Sequence, residues 1–254
     1  MLENAIVLIT GASSGIGAAC AKLFARSGAK LILVARRQER LQALATELQQ
    51  AYGTSSYLLT LDVRDRAAVQ QGLQSLPPAW AEIDILINNA GLSRGLDKLY
   101  SGAVQDWEEM IDTNIKGLLY VTRAVLPGMV ERGRGHVVNI GSIAGRQTYP
   151  GGAVYCASKA AVRAISEGLK LDLLGTPIRV TEIQPGLVET EFSQVRFRGD
   201  CERAAAVYRG LTPLTAMDVA EVVLFAVTRP PHVNLSEVLL VPTDQATTTM
   251  VHRR

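Results

Sequence analysis

The sequence predicts an α/β fold, a doubly wound parallel sheet of seven strands with helices on both faces, and three observations carry that expectation. Short apolar runs alternate with longer amphipathic ones along the chain. The apolar runs show little polar alternation, as strands buried on both faces do. A glycine-rich turn directly follows the first run and opens an amphipathic stretch.

The strands fall in order at AIVLIT (5–10), LILVA (31–35), SYLLTLDV (56–63), IDILINN (83–89), HVVNIGS (136–142), IRVTEIQ (178–184) and EVLLVPT (237–243). Between them, stretches such as RQERLQALATELQQAYG keep a helical period and end at Gly or Pro. Two helices are long, 104–133 and 152–176, and carry more apolar surface than one sheet face needs, which points to a subunit interface. No repeat, low-complexity tract or linker divides the 254 residues, so a single domain over 1–254 is expected. The exception to the periodic pattern is 187–214, LVETEFSQVRFRGDCERAAAVYRGLTPL, which is polar and lacks a clean period. An insertion of this length is expected to act as a lid over a site at the carboxyl ends of the strands.

Composition narrows the function classes. With 48% hydrophobic and 20% charged residues there is ample material for a buried core and no signature of disorder. A formal net charge of +2 leaves no broad basic surface, which argues against a nucleic-acid partner. Cys20, Cys156 and Cys201 are odd in number and lack ligand spacing, as do His136, His232 and His252, so no metal site is expected and a reducing compartment fits best. MLENAIVLITG enters an apolar run without a basic flank, cleavage pattern or spanning segment; the expectation is a cytoplasmic protein with no membrane partner.

The turn after the first strand reads TGASSGIG, with Gly11, Gly15 and Gly17. Glycines here permit unusual backbone angles, let a pyrophosphate approach the main chain and bring helix close to strand, while the helix N-terminus faces the anion. This is the signal for a Rossmann-type dinucleotide site. NAD-binding units usually end the second strand with an acid that holds the ribose hydroxyls, but this chain reads LVARRQERL, with Arg36 and Arg37 after Ala35. A guanidinium able to clasp a phosphate, without carboxylate repulsion, favours NADP over NAD. Arg36 is the first candidate for that clasp, whereas Arg40 reads as an ordinary basic helix start paired with Glu39 or solvent.

Farther along, YCASK places Tyr155 and Lys159 four residues apart, on one face of a helix. A nearby ammonium favours phenolate and would lower the tyrosine pKa, making Tyr155 a usable general acid or base. Taken alone, the spacing favours a surface tyrosine and a solvated lysine on an amphipathic helix.

In register, TGASSGIG, NNAG (88–91), Asn114 in DTNIKG, Ser142 in NIGS, Tyr155 and Lys159 in Y-x-x-x-K, and PG (185–186) resemble the motifs of the short-chain dehydrogenases/reductases over nearly the whole chain. The resemblance implies a hydride-transferring oxidoreductase acting on an alcohol or carbonyl. It assigns the proton to Tyr155, the nicotinamide ribose and the phenol's lowered pKa to Lys159, the substrate oxygen to Ser142, and to Asn114 a water linking Lys159 to solvent. It places Ser13 and Ile16 along the pyrophosphate loop, Asp62 and Val63 at the adenine, and Asn88, Ala90 and Gly91 at the adenosine ribose. Pro185, Gly186, Val188 and Thr190 fall at the nicotinamide end. Where some NADP-using members carry a basic residue before the second glycine, this chain has Ser14, which puts more weight on Arg36 and Arg37.

Within the family, LDVRDRAAV, YPGGAVYCASKAAVR and EFSQVRFRGD resemble bacterial NADP-dependent 3-hydroxy acid dehydrogenases, which are usually homotetramers. A small hydroxy acid carries a carboxylate that a desolvated site pairs with a guanidinium. Arg196 in the lid is the first candidate and Arg146, four residues past Ser142, the second. The rivals are a carbonyl reductase for neutral ketones and a non-catalytic dinucleotide sensor; the presence of all four catalytic residues argues against the sensor. The polar tail TDQATTTMVHRR could be disordered, contact a neighbouring subunit or border the site.

Overall fold

A single residue step along a strand decides which helical layer that residue meets, because successive side chains point to opposite faces. In the computed structural model, which describes residues 2–254, the elements run β1 (Ile6–Thr10), α1 (Gly15–Arg26), β2 (Lys30–Ala35), α2 (Gln38–Tyr52), β3 (Ser56–Thr60), α3 (Arg66–Gln74), the single turn α4 (Pro78–Ala81) and β4 (Ile85–Asn88). They continue with α5 (Val104–Ile111), α6 (Leu118–Arg132), β5 (His136–Ile140), α7 (Ala153–Asp172), β6 (Arg179–Pro185), α8 (Phe192–Arg196), α9 (Cys201–Ala206), α10 (Ala216–Val227) and β7 (Glu237–Leu240). Val7, Ile9, Leu31, Leu33, Ile87, Val138 and Ile183 pack with Phe24 of α1, Leu41 of α2 and Val223 of α10. Their neighbours Ile6, Leu8, Ile32, Val34, Leu86, Val137 and Val180 face the other way, onto Val69 of α3 and Val121, Val125 and Met129 of α6. Both faces are therefore apolar, and the strand sequences read as nearly continuous hydrophobic runs.

All the pairings are parallel, in the order β3-β2-β1-β4-β5-β6-β7. Chain order reverses between β1 and β4, and the crevice outside the carboxyl ends at such a reversal is where open α/β sheets take ligands. The edge strand β7 departs from the expectation of strands buried on both faces, with Glu237 and Leu239 exposed.

The expected helix 104–133 is interrupted. Between α5 and α6 the chain makes a π-helical turn, Asp112–Gly117. The extra residue in that turn directs Asn114 inward, where it is 2% exposed. The expected helix 152–176 is shorter, ending at Asp172. The aperiodic segment 187–214 holds two short helices, α8 and α9, and its ends are pinned together: Leu214 N donates to Leu187 O at 2.9 Å and Glu189 N to Leu214 O at 2.8 Å.

Candidate active site

The reversal point opens into a cavity of about 660 Å³, lined from one end by the turn after β1 and the end of β2, and from the other by the 187–214 segment. The glycine turn shapes the first end. Gly11 and Gly15 adopt φ of 66° and 53°, a left-handed backbone that side chains disfavour. A Cβ on Gly17 would collide with the Gly11 carbonyl and the Asn89 amide, so α1 approaches the strand only because Gly17 has none. Asn89 stitches this turn to the next strand, donating through Nδ2 to Thr10 O at 2.9 Å and Gly11 O at 3.2 Å. Thr10 Oγ1 returns the link, accepting from the backbone N–H groups of Asn89 and Ala90 at 3.0 Å each.

Arginines crowd the end of β2. Arg37 donates to Ser13 Oγ at 3.1 Å and Ser14 Oγ at 2.8 Å, and pairs with Glu191 at 2.9 Å. Arg36 is more exposed and reaches Asp62 only at 3.7 Å. Burial would raise the Asp62 carboxyl, but hydrogen bonds from Arg64 outweigh it and hold the group below the usual carboxylate range.

The second end holds Ser142, Tyr155 and Lys159, all buried and all on the cavity wall. Helical spacing carries the last two from one face of α7, and Ser142 enters from the turn after β5, where its Oγ accepts from Ala144 N at 3.1 Å. Lys159 Nζ donates to Ile140 O at 2.8 Å, and burial brings its pKa down to about 8 against the opposing charge of Glu182. The Tyr155 pKa moves opposite to the expected direction. Burial, then Tyr149, push the phenol up; Arg196 and the Ser142 hydroxyl pull it down. A cation does act on the phenol, but it comes from α8 across the cleft.

That cation is caged. The Arg196 Cζ lies 5.3 Å from the ring centroid of Tyr155, 5.4 Å from that of Phe192 and 5.7 Å from that of Tyr149. Its Nη2 donates to Tyr149 Oη at 2.6 Å, whereas its Nε is buried with no partner. The arrangement thus offers a phenol, a hydroxyl and an ammonium around one point, with a guanidinium donor left over beside them.

The sequence profile of the short chain dehydrogenases matches residues 5–200. The chain belongs to that family. It is 53% identical over 242 residues to the NADP-dependent 3-hydroxy acid dehydrogenase YdfG of Salmonella typhi, covering 95% of this chain and 96% of the relative. It is 49% identical over 242 residues to sulfoacetaldehyde reductase 2 of Chromohalobacter salexigens, covering 95% of each. Among solved structures, the closed form of serine dehydrogenase complexed with NADP+ superposes with a TM-score of 0.92 at 51% identity, covering 98% of this chain and all of the other.

Against these short-chain dehydrogenase motifs, most predicted residues reach the cavity wall: Gly11, Ser13, Ser14, Gly15, Ile16, Arg36, Arg37, Asp62, Val63, Ala90, Gly91, Pro185, Gly186, Val188 and Thr190. Four do not. Gly17 serves behind the wall, through the close approach described above. Asn88 turns into the core, donating to Thr122 Oγ1 and Asn139 Oδ1 at 2.9 Å each, because the pleat points it away from the residue that follows. The Asn114 amide accepts from Leu92 N at 2.8 Å and donates to Leu92 O and Ser158 Oγ at 2.9 Å each, so its side chain ties the π turn to α7. Arg146 points behind the sheet end, where it donates to Gln184 Oε1 at 2.5 Å and pairs with Glu237.

Other side chains went unforeseen. Arg40 pairs with Glu191 in place of Glu39 or solvent. Arg94 fastens α8 to α5, donating to Val195 O and Glu109 at 2.5 Å each. Tyr149 and Phe192 complete the aromatic cage, and Thr248, Thr249, Val251 and Arg253 bring the tail onto the cavity wall. The tail is ordered along this chain's own cavity: Arg253 donates to Arg209 O at 2.5 Å and Arg254 N to Gly210 O at 2.7 Å. Only Tyr149, in YPGG just ahead of α7, carried a signal that local pattern could have raised. His136 is buried against Thr181 Oγ1 at 2.8 Å. No cluster able to hold a metal ion and no helix long and apolar enough to cross a membrane occurs among the described residues.

Proposed function

We propose that this chain is an NADP-dependent dehydrogenase of small 3-hydroxy acids, interconverting the alcohol and the corresponding semialdehyde or ketone. The observation that carries the reading is Arg196, whose buried and unpartnered Nε stands beside the Tyr155 ring. A desolvated guanidinium donor with nothing to bind is costly unless an anion completes it. The relatives named above act on hydroxy acids or on a sulfonated aldehyde, and both present an anion at short range from the reacting carbon.

The residues present fit a phosphorylated dinucleotide. Gly11, Gly15 and Gly17 bare the backbone at the N-terminus of α1, and Arg36 and Arg37 stand where a 2′-phosphate needs cations. Bound NADP supplies the hydride acceptor in oxidation and the hydride donor in reduction. Lys159 holds the nicotinamide ribose and keeps positive charge near the phenol. Ser142 hydrogen-bonds the substrate oxygen; Tyr155 takes its proton in oxidation and returns it in reduction. Arg196 anchors the carboxylate, with Tyr149 holding the guanidinium in place. The Arg196 charge also opposes the rise that burial and Tyr149 impose on the Tyr155 phenol, so an arriving carboxylate and the proton transfer are coupled through one side chain.

The whole of 1–254 works as one domain with 187–214 as its lid; its pinned ends and its share of the cavity wall support that reading. Exposed Leu119 and Val130 on α6 and Leu171 and Leu174 near the end of α7 support assembly, and we infer a homotetramer acting in the cytoplasm, without nucleic-acid or membrane partners. Initial rates with NADP and NAD against serine, 3-hydroxyisobutyrate, 3-hydroxypropionate, 2-hydroxyethanesulfonate and neutral secondary alcohols test the substrate class. Rates on the carboxylates that exceed all others with NADP are expected; equal or faster turnover of the neutral alcohols would refute it.

A further inference from the structure

Behind Lys159, on the side away from the cavity, lies a buried charge cluster that the reaction as described does not use. Glu182, in the middle of β6, is 0% exposed. Its Oε2 accepts from Gln184 Nε2 at 2.6 Å, and Gln184 in turn accepts from Arg146 Nε at 2.5 Å, so a chain of side chains fixes the carboxylate. Its Oε1 has no hydrogen-bond partner and packs so closely under Gly141 that a Cβ there would overlap it. The residue before Gly141 is Ile140, whose carbonyl accepts the Lys159 ammonium. Carboxylate and ammonium therefore meet successive residues at the end of β5.

A buried carboxylate oxygen without a donor persists only where a surrounding field stabilises its charge. Burial pushes the Glu182 carboxyl above the usual carboxylate range, and what opposes that rise is the Gln184 hydrogen bond and a cationic field: Lys159 and Arg163 from α7, one helical turn apart, and Arg146 from the turn after β5, itself shared with Glu237 of β7. The other groups around Lys159 are neutral: Tyr155 on its own helix, Ser142, and Asn114 from the π turn, whose Oδ1 lies with Nζ near Gly91. Glu182 is the carboxylate whose charge opposes the burial of Lys159.

We propose that Glu182 is a positioning residue of this active site: its carboxylate, locked behind β5 by Gln184 and Arg146, keeps the buried Lys159 protonated and aimed into the cleft. The proposal deepens the tyrosine–lysine reading of the site and rests on it. It also gives Arg146 a role, one step removed from substrate.

The test compares wild type, Glu182→Gln and Glu182→Asp. Removing the carboxylate lowers the Lys159 pKa, so the charged lysine is lost at lower pH. The alkaline limb of the kcat/KM profile is expected to move down by about one pH unit in Glu182→Gln and to return most of the way in Glu182→Asp. The pH dependence of Lys159 acetylation by acetic anhydride, read by mass spectrometry, is expected to shift equally, and this readout needs no turnover. A folded Glu182→Gln protein whose labelling profile matches wild type overturns the proposal. Wild type that turns over none of the panel overturns the substrate reading while leaving the labelling result to decide the role of Glu182. If Glu182→Gln does not fold, Gln184→Ala loosens the same carboxylate; a smaller shift in the same direction is expected there, and an unshifted profile is the overturning result.

Discussion

The two ends of the cleft are made of different material. At the dinucleotide end the chain presents main chain: glycines of one short turn, the N-terminus of α1 and the bonds by which Asn89 and Thr10 knit β1 to β4. At the substrate end it presents side chains drawn from the β5–α7 connection, from α7, from α8 and from the tail. A surface of backbone recognises what every dinucleotide shares, the pyrophosphate, and tolerates little change. A surface of side chains sets which alcohol is chosen, and is expected to respond to substitution by degrees.

Where the halves meet, at Tyr155, the largest effect is expected. Tyr155→Phe removes the transferable proton while keeping the ring that packs at a tilt against Phe192, centroids 5.7 Å apart, and kcat is expected to fall by a factor of about 10²–10⁴ with an unchanged melting temperature. A variant that keeps the wild-type rate would dissolve the distinction between the halves, because the chemistry would then lie elsewhere.

Next comes the substrate end. Arg196→Leu removes the charge but keeps apolar bulk against Tyr149, Tyr155 and Phe192. A charged hydrogen bond is worth about 1.5–3 kcal/mol, so kcat/KM for 3-hydroxy acids is expected to drop roughly 10- to 100-fold. Neutral alcohols are expected to change by less than about threefold, and less than that if loss of the cation also raises the Tyr155 pKa by little. Parallel losses on both substrate types would show that Arg196 only shapes the lid.

The asymmetry between the halves also explains what could be read in advance. Strand and helix order were legible because burial of β1, β2, β4 and β5 on both faces leaves largely apolar runs, and the glycine turn was legible because backbone conformation is encoded locally. The π turn was not legible, since Val104–Arg132 keeps one continuous helical pattern and the extra residue is absorbed by tertiary bonds from Asn114 to Leu92 and Ser158. Asn88 and Asn89 were adjacent and chemically identical in sequence, and only the pleat separated a core amide from a cleft amide. Arg196 and Arg146 looked alike too. Their fates diverged because Gln184 and Glu237 capture one behind β5, whereas Phe192 of its own helix and Tyr149 and Tyr155 from across the cleft cage the other.

At the dinucleotide end the arginines sharpen the comparison, because they are the side-chain exception on a backbone surface. Arg37 is already shared among Ser13, Ser14 and Glu191, so a phosphate must exchange for partners it has. The net gain is therefore smaller than for an unpartnered guanidinium, and Arg37→Met is expected to raise KM for NADP about tenfold while leaving NAD nearly unchanged. Arg36→Asp is expected to move preference toward NAD by introducing repulsion near the end of β2. Unchanged selectivity in both variants would place the 2′-phosphate elsewhere.

The smallest effect belongs to the segment 187–214. The Asp200 side chain caps α9, accepting from Arg203 N at 3.0 Å. Asp200→Ala leaves that N–H without its cap and costs about 1 kcal/mol locally, which at six residues is a large share of what holds α9. The expected result is a KM for 3-hydroxy acids raised about two- to fivefold, with the KM for NADP unchanged, because α9 packs beside α8 and its arginine but does not touch the glycine turn. Equal changes in both constants would mean that the two ends move as one body, and the division between a backbone-built and a side-chain-built half would have no functional meaning.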